Sequence, residues 1–118
     1  MKVLFAVWEL DPLIKVGGLG DVAKSLPAAL FKLGVDVRVI IPFYNAIDLG
    51  GQKAIRINTI TTDYAGKEEK IEIYEIKHPQ NGVPVYLLKH KKYFTIADFP
   101  DTFALFDKAI IAAITGNF

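Results

Sequence analysis

The spacing of apolar residues changes along this chain, and each change marks an element. Lys2 to Trp8 carries an unbroken apolar run, Val3-Leu4-Phe5-Ala6-Val7, the pattern of a strand covered on both faces. Leu10 to Gly18, with Pro12 and a glycine pair, reads as a loop. From Leu19 the apolar positions Leu19, Val22, Ala23, Leu26, Leu30 and Leu33 recur at helical spacing, and Gly34 is a natural stop. Pro27 removes a backbone donor inside that helix and predicts a kink. Val35 to Ile41 is a second apolar strand, closed by Pro42.

Strand, helix and strand in this order form a β-α-β unit, with ligands expected beyond the carboxyl ends of the strands, at residues 9–18 and 43–52. The pattern then switches to alternation. Residues 54–60 and 70–76 alternate apolar with polar side chains and predict two half-exposed strands. Ala65-Gly66-Lys67 and Gln80-Asn81-Gly82 are turn signals. Val83 to Leu88 predicts another buried strand. Asp101 to Thr115 predicts a helix with Phe103, Phe106, Ala109, Ile110 and Ala113 on one face. The fold class is therefore α/β: a Rossmann-like parallel sheet with an antiparallel strand insertion. A further strand is expected after Thr115, so the chain reads as a truncated domain with an open sheet edge.

Composition narrows the function classes. The chain has 118 residues, 52% hydrophobic and 23% charged, which suits one folded domain. Its net charge of +1 offers no electrostatic basis for nucleic-acid or anionic-membrane binding. There is no cysteine, which excludes disulfides, thiolate nucleophiles and Cys-ligated zinc. The first apolar stretch is too short for a signal peptide and meets Glu9 and Asp11, so the cytoplasm is the expected compartment. Neither His78 nor His90 has metal-ligand spacing, and both read as surface residues.

The chemistry concentrates in Lys15-Val16-Gly17-Gly18-Leu19-Gly20-Asp21-Val22, between the first strand and the helix. Adjacent glycines allow a sharp turn and close approach of a ligand, and the amides that open a helix attract anions. Lys15 adds a mobile positive charge beside them. Glycines at 17, 18 and 20 do not make the Gly-x-Gly-x-x-Gly dinucleotide fingerprint, and the second strand lacks a closing acid. A Gly-Lys-Ser/Thr phosphate loop is also absent. A diphosphate site without a nicotinamide or flavin cofactor remains, and a nucleotide-sugar fits it. Asp21 falls in the first helical turn, where the macrodipole favours a carboxylate whatever its function. Glu9 could bind sugar hydroxyls or satisfy loop amides, and both readings stay open.

The same residues resemble the opening of the bacterial glycogen and plant starch synthases. Glu9, Pro12, Lys15, Gly17, Gly18, Leu19, Gly20, Asp21 and Val22 stand where that family places its signature. The likeness continues through Leu26-Pro27-Ala28-Ala29-Leu30, Leu33-Gly34 with Val37-Arg38-Val39, and Pro42-x-Tyr44. It returns at Val85-Tyr86-Leu87, Tyr93-Phe94 and Phe103-Ala104-Leu105-Phe106. Trp8 departs from the family's usual small residue before Glu9. Lys89-His90-Lys91-Lys92 is basic where relatives are often neutral or acidic.

The resemblance implies the incomplete N-terminal half of a GT-B glycosyltransferase, residues 1–118, with the C-terminal nucleotide-sugar domain absent. It implies a retaining, metal-free transfer of glucose from ADP-glucose to the 4-hydroxyl of an α-1,4-glucan. Lys15, Gly17, Gly18, Asp21, Glu9 and Tyr93 are the implied substrate-binding residues, Lys15 through the donor phosphates and Tyr93 through sugar stacking, with a place in the core as the other reading of that tyrosine. No catalytic residue is assigned within the chain, because the family's histidine loop and basic pair lie later. The chain alone is therefore expected to be inactive and to need the missing half or a partner chain. Two alternatives are a non-catalytic nucleotide-sugar or glucan module, and one chain of a split or oligomeric assembly.

Overall fold

The computed structural model describes residues 1–90 and 99–115, with side chains described through 90 and from 103 to 115. Seven elements occur in order: β1 (Lys2–Ala6), α1 (Gly18–Lys32), β2 (Asp36–Pro42), β3 (Ile55–Tyr64), β4 (Lys67–Lys77), β5 (Pro84–Lys89) and α2 (Phe99–Thr115). They build one five-stranded sheet in the order β1-β2-β5-β4-β3. β1, β2 and β5 run parallel, while β4 and β3 run antiparallel to their neighbours. A parallel sheet extended by an antiparallel hairpin is the architecture expected from the residue pattern.

Two layers of side chains cover the two faces. Val37, Val39, Ile41, Val85, Leu87 and Ile76 meet Leu10, Leu13 and Ala23 on the face that carries α1 and the glycine loop. Ile40, Leu88, Ile71 and Ile73 meet Leu105, Phe106, Ala109 and Ala113 of α2 on the other. Phe106, Ala109 and Ala113 are the predicted inward face of that helix, joined by Leu105; Phe103 and Ile110 are half-buried at its margin. Each fully buried leucine or isoleucine here contributes roughly 1.5–3 kcal/mol of transfer free energy. The two layers therefore dominate the stability of the fold.

Helix α1 departs from its sequence pattern. Its periodic large residues Leu19, Val22, Leu26 and Leu33 are exposed, with Leu33 at 79%. The face against the sheet is made instead of Gly20, Ala23 and Pro27, with Leu30 half-buried. Small residues let the helix lie close to the strands, and close approach replaces bulk as the source of contact. The helix runs unbroken through Pro27, which supplies no backbone donor of its own. Gly34, at φ +84°, ends the helix in the left-handed conformation, and the amide of Val35 reaches back to the carbonyl of Leu30.

The β3–β4 hairpin is longer than the alternation suggests. A bulge between Arg56 and Asn58 shifts its register, leaving Ile55 and Ile57 on the solvent side and Ile60 against the α2 layer. Its two-residue turn places both Ala65 (φ 52°) and Gly66 (φ 79°) in left-handed backbone. That is a type I′ geometry, which alanine fits poorly and asparagine well. Ala65→Asn is expected to raise stability by about 0.5–1 kcal/mol, read as an upward shift of the urea midpoint at unchanged slope.

Candidate donor-binding loop

Chain geometry after β1 is set by a tight reversal. The amides of Leu10 and Ile14 donate to each other's carbonyls at 2.8 and 3.0 Å, closing a loop over Asp11-Pro12-Leu13. Leu10, Leu13 and Ile14 are buried, so this reversal is anchored by the core. The amide of Asp11 donates to Gly20 O at 3.1 Å, and that of Asp48 to Leu13 O at 2.9 Å. Residues 9–18 and the 43–52 loop therefore meet beyond the ends of β1 and β2.

Glu9 organises the glycine segment. Its side chain is 1% exposed, and its carboxylate accepts from Val16 N at 3.0 Å, from Gly17 N at 3.2 Å and from Gly20 N at 2.5 Å. A buried charge is tolerable only when it is hydrogen-bonded in this way, and the helix N-terminus adds a favourable dipole. Of the two readings left open by the sequence, satisfaction of loop amides is the one the geometry displays. No described hydrogen bond ends on the amides of Gly18 or Leu19, the next two donors at the helix start.

The glycines divide by role. A Cβ on Gly20 would sit 3.4 Å from Asp11 N, Glu9 Oε1 and Lys15 Cγ, so that position is filled on all sides. Gly17 and Gly18 differ: a Cβ on either would meet nothing within 4 Å, and neither has a positive φ. The sharp turn expected of the pair is not their role. Gly17 is the N-cap of α1, a position that favours glycine over alanine. No described contact requires glycine at Gly18, over which the described residues leave open space.

Lys15 and Asp21, on either side of the glycine segment in sequence, pair with each other. Lys15 Nζ lies 3.1 Å from Asp21 Oδ1, with both side chains about half exposed. The hydrogen bond to Asp21, then its charge, raises the Lys15 pKa, so the ammonium persists throughout the neutral range. Asp21 is thus both a first-turn carboxylate and the partner that orients the lysine. Tyr93 lies outside the described residues.

Three residues whose place the sequence pattern did not reveal complete the polar interior. Tyr44 is 1% exposed, and its hydroxyl has no hydrogen-bond partner among the described residues. Burial, and after it the charge of Glu9, pushes its pKa to about 12. His78, expected at the surface, is buried at 3% exposure and hydrogen-bonded to Asp11 O at 2.7 Å. His90, expected there too, has a side chain only 5% exposed and sits 2.6 Å from Glu69 Oε2. Their burial comes from pairing: a ring nitrogen with a fixed partner is not penalised for leaving water. Only the tertiary fold supplies those partners, 67 and 21 residues away in sequence.

Comparison with known proteins sets this loop in context. Residues 2–118 match the family model described as the starch synthase catalytic domain. The chain belongs to that family. It is similar to the glycogen synthase of Gloeobacter violaceus, 39% identical over 115 residues, covering 93% of this chain and 24% of that protein. It is 38% identical over 128 residues to the glycogen synthase of Clostridium acetobutylicum, covering 98% of this chain and 25% of that one. Among solved structures it matches the catalytic domain of starch synthase IV from Arabidopsis thaliana, bound to ADP and acarbose, at a TM-score of 0.85 and 26% identity. That match covers 98% of this chain and 25% of the plant chain. The chain thus spans about a quarter of the length of these relatives. The fold is that of the corresponding part of a starch synthase.

Proposed function

We propose that this chain carries the donor-diphosphate loop of an ADP-glucose-dependent α-glucan synthase. In this reading, residues 1–118 are the N-terminal part of its catalytic domain. The remaining three-quarters of the enzyme's length supplies the other half of the cleft and the groups that complete transfer. Glucose passes from ADP-glucose to the 4-hydroxyl of an α-1,4-glucan with retention, and this portion by itself does not turn over.

The observation that carries the proposal is the open space over Gly17 and Gly18. At the first helical position glycine costs some stability relative to alanine, and no described contact or backbone angle at Gly18 demands it. Gly17 is the N-cap, where glycine is itself preferred to alanine. A ligand that must approach the backbone closely accounts for Gly18. The Gly18 and Leu19 amides at a helix start, its dipole and the nearby Lys15 ammonium are a set of groups that suits a diphosphate. ADP bound in the plant neighbour supports the same chemistry.

The test separates stability from binding. Gly18→Ala is expected to leave the melting temperature unchanged or slightly higher, while weakening ADP binding about tenfold, one lost close contact's worth. Amide chemical shifts of Gly17, Gly18 and Leu19 should respond to ADP in the millimolar range and not to adenosine. Equal responses to ADP and adenosine, or an unchanged response in Gly18→Ala, would overturn the assignment.

A further inference from the structure

The turn between β4 and β5 reaches across to the glycine loop through one buried ring. His78 Nδ1 accepts from Gln80 N at 3.2 Å and Asn81 N at 3.3 Å, while Nε2 lies 2.7 Å from Asp11 O. An acceptor nitrogen carries no hydrogen, and a carbonyl oxygen can only accept. Both constraints select the same neutral tautomer, with the proton on Nε2 donated to Asp11 O.

Asp11 passes this tie onward. Its amide donates to Gly20 O at 3.1 Å, and the Gly20 amide in turn rests on Glu9. Asn81 makes a second tie from the same turn, donating through Nδ2 to Lys24 O of α1 at 3.3 Å, while its Oδ1 accepts from Val83 N at 3.0 Å. His78 N donates to Val83 O and Gly82 N to His78 O, so the turn itself is closed.

We propose that His78 is a positioning residue for the glycine loop, a latch that holds Asp11 through Nε2–H while its bare Nδ1 closes the 78–83 turn, and that protonation at Nδ1 opens this turn and so loosens the base from which the ring reaches the loop. A proton added at Nδ1 would face two N–H donors already aimed at that atom, so the 78–83 turn must open to admit it. The charged groups facing the ring are Asp11 from the loop and Lys24 from α1, themselves 3.5 Å apart. Burial, followed by the charge of Lys24, opposes protonation. The hydrogen bond and charge of Asp11 favour it, and the balance lies below the ordinary histidine value of 6.5.

The sign is set by linkage. The native state binds the proton less readily than the unfolded chain, so the latch's contribution is complete above about pH 6.5 and falls as pH drops towards the lowered native value. Below that value no further loss comes from this group. The latch goes beyond the proposed function and depends on it only for its consequence at the ligand.

Nitrogen-15 NMR of the 118-residue chain between about pH 8 and about pH 5 tests it without ligand. The expected result is an Nε2-protonated His78 at neutral pH. The Val16, Gly17 and Gly20 amide signals should move with the same midpoint as the His78 ring. In His78→Phe, hydrogen exchange at Gly17 and Gly20 should accelerate at least about tenfold beyond any change at β5 amides. His78→Gln, which keeps a donor towards Asp11 O, should recover part of that protection.

An Nδ1-protonated ring, loop amides that ignore its titration, or exchange that accelerates equally across the fold would each overturn the proposal. If His78→Phe does not fold, the wild-type titration still decides. Loop amides that follow His78 yet ignore ADP at neutral pH would sink the ADP reading and uphold the latch.

Discussion

Glu9→Ala is expected to lower the unfolding free energy of the chain by roughly 3 kcal/mol or more, visible as a large drop in the urea midpoint. The buried carboxylate accepts from three backbone amides, and alanine takes that acceptor from all three. Each orphaned buried donor costs about 1–3 kcal/mol, reduced where the loop can relax towards solvent. Val16 and Gly17 are exposed enough to recover water, whereas Gly20 is buried and is not. Glu9→Gln is expected to be milder, near half the effect, because one oxygen still accepts while the new amine confronts an N–H. Wild-type stability in Glu9→Ala would mean that the loop reorganises without it. An intact fold with faster exchange confined to residues 16–20 would place the whole effect in the loop.

The second large effect concerns Lys15 in the longer synthase that this portion is proposed to serve. Lys15→Ala is expected to lower kcat by about a hundredfold with a smaller change in the KM for ADP-glucose. Negative charge grows on the departing diphosphate in the transition state, and a fixed cation nearby is then worth more than in the ground state. Lys15 is held for that role by the 3.1 Å contact with Asp21 and is otherwise free to move towards a ligand. Asp21→Asn should have the smaller effect. It removes the cause of the raised Lys15 pKa, but an ordinary lysine is still charged at neutral pH. Lys15→Arg is not expected to restore the rate, since a planar fork replaces a compact ammonium. Initial rates across ADP-glucose concentrations check these outcomes. A variant that raises KM at unchanged kcat would make Lys15 a ground-state contact only.

These two residues differ in how far the sequence revealed them. The proposed role of Lys15 could be drawn from the sequence because its signal is local: a basic residue two positions before a glycine pair at a helix start needs no distant partner to suggest a phosphate. Glu9 was ambiguous for the opposite reason. A carboxylate near a loop can face a ligand or turn inward, and only the folding back of residues 10–14 puts the amides of 16, 17 and 20 around it. Of the two causes the sequence offered for the glycine pair, a sharp turn is not seen, since the backbone angles are ordinary, while the open space above it leaves room for the close approach that is proposed.

Helix α1 shows a related limit. Periodicity located it to within a residue at its start, yet of its apolar positions only Ala23 and Leu30 turn to the sheet, while Leu19, Val22, Leu26 and Leu33 are exposed. Hydrophobic spacing reports that a side of a helix is apolar. It does not report how near the neighbouring sheet lies, and at close range Gly20, Ala23 and Pro27 fit where leucines would not.

From its order of residues alone this protein is an α/β chain with a β-α-β start, an antiparallel hairpin, and a glycine-rich loop between its first strand and helix. Those features depend on contacts between near neighbours, on alternation, helical spacing, turn residues and the free amides of a helix start. Which side of α1 faces the sheet, where Glu9 points, and that His78 reaches Asp11 across 67 residues were decided only by the tertiary structure. The physical reason is common to all three. A buried polar group or a packed face is defined by its partner, and the partner's distance in space is not written in the distance along the chain.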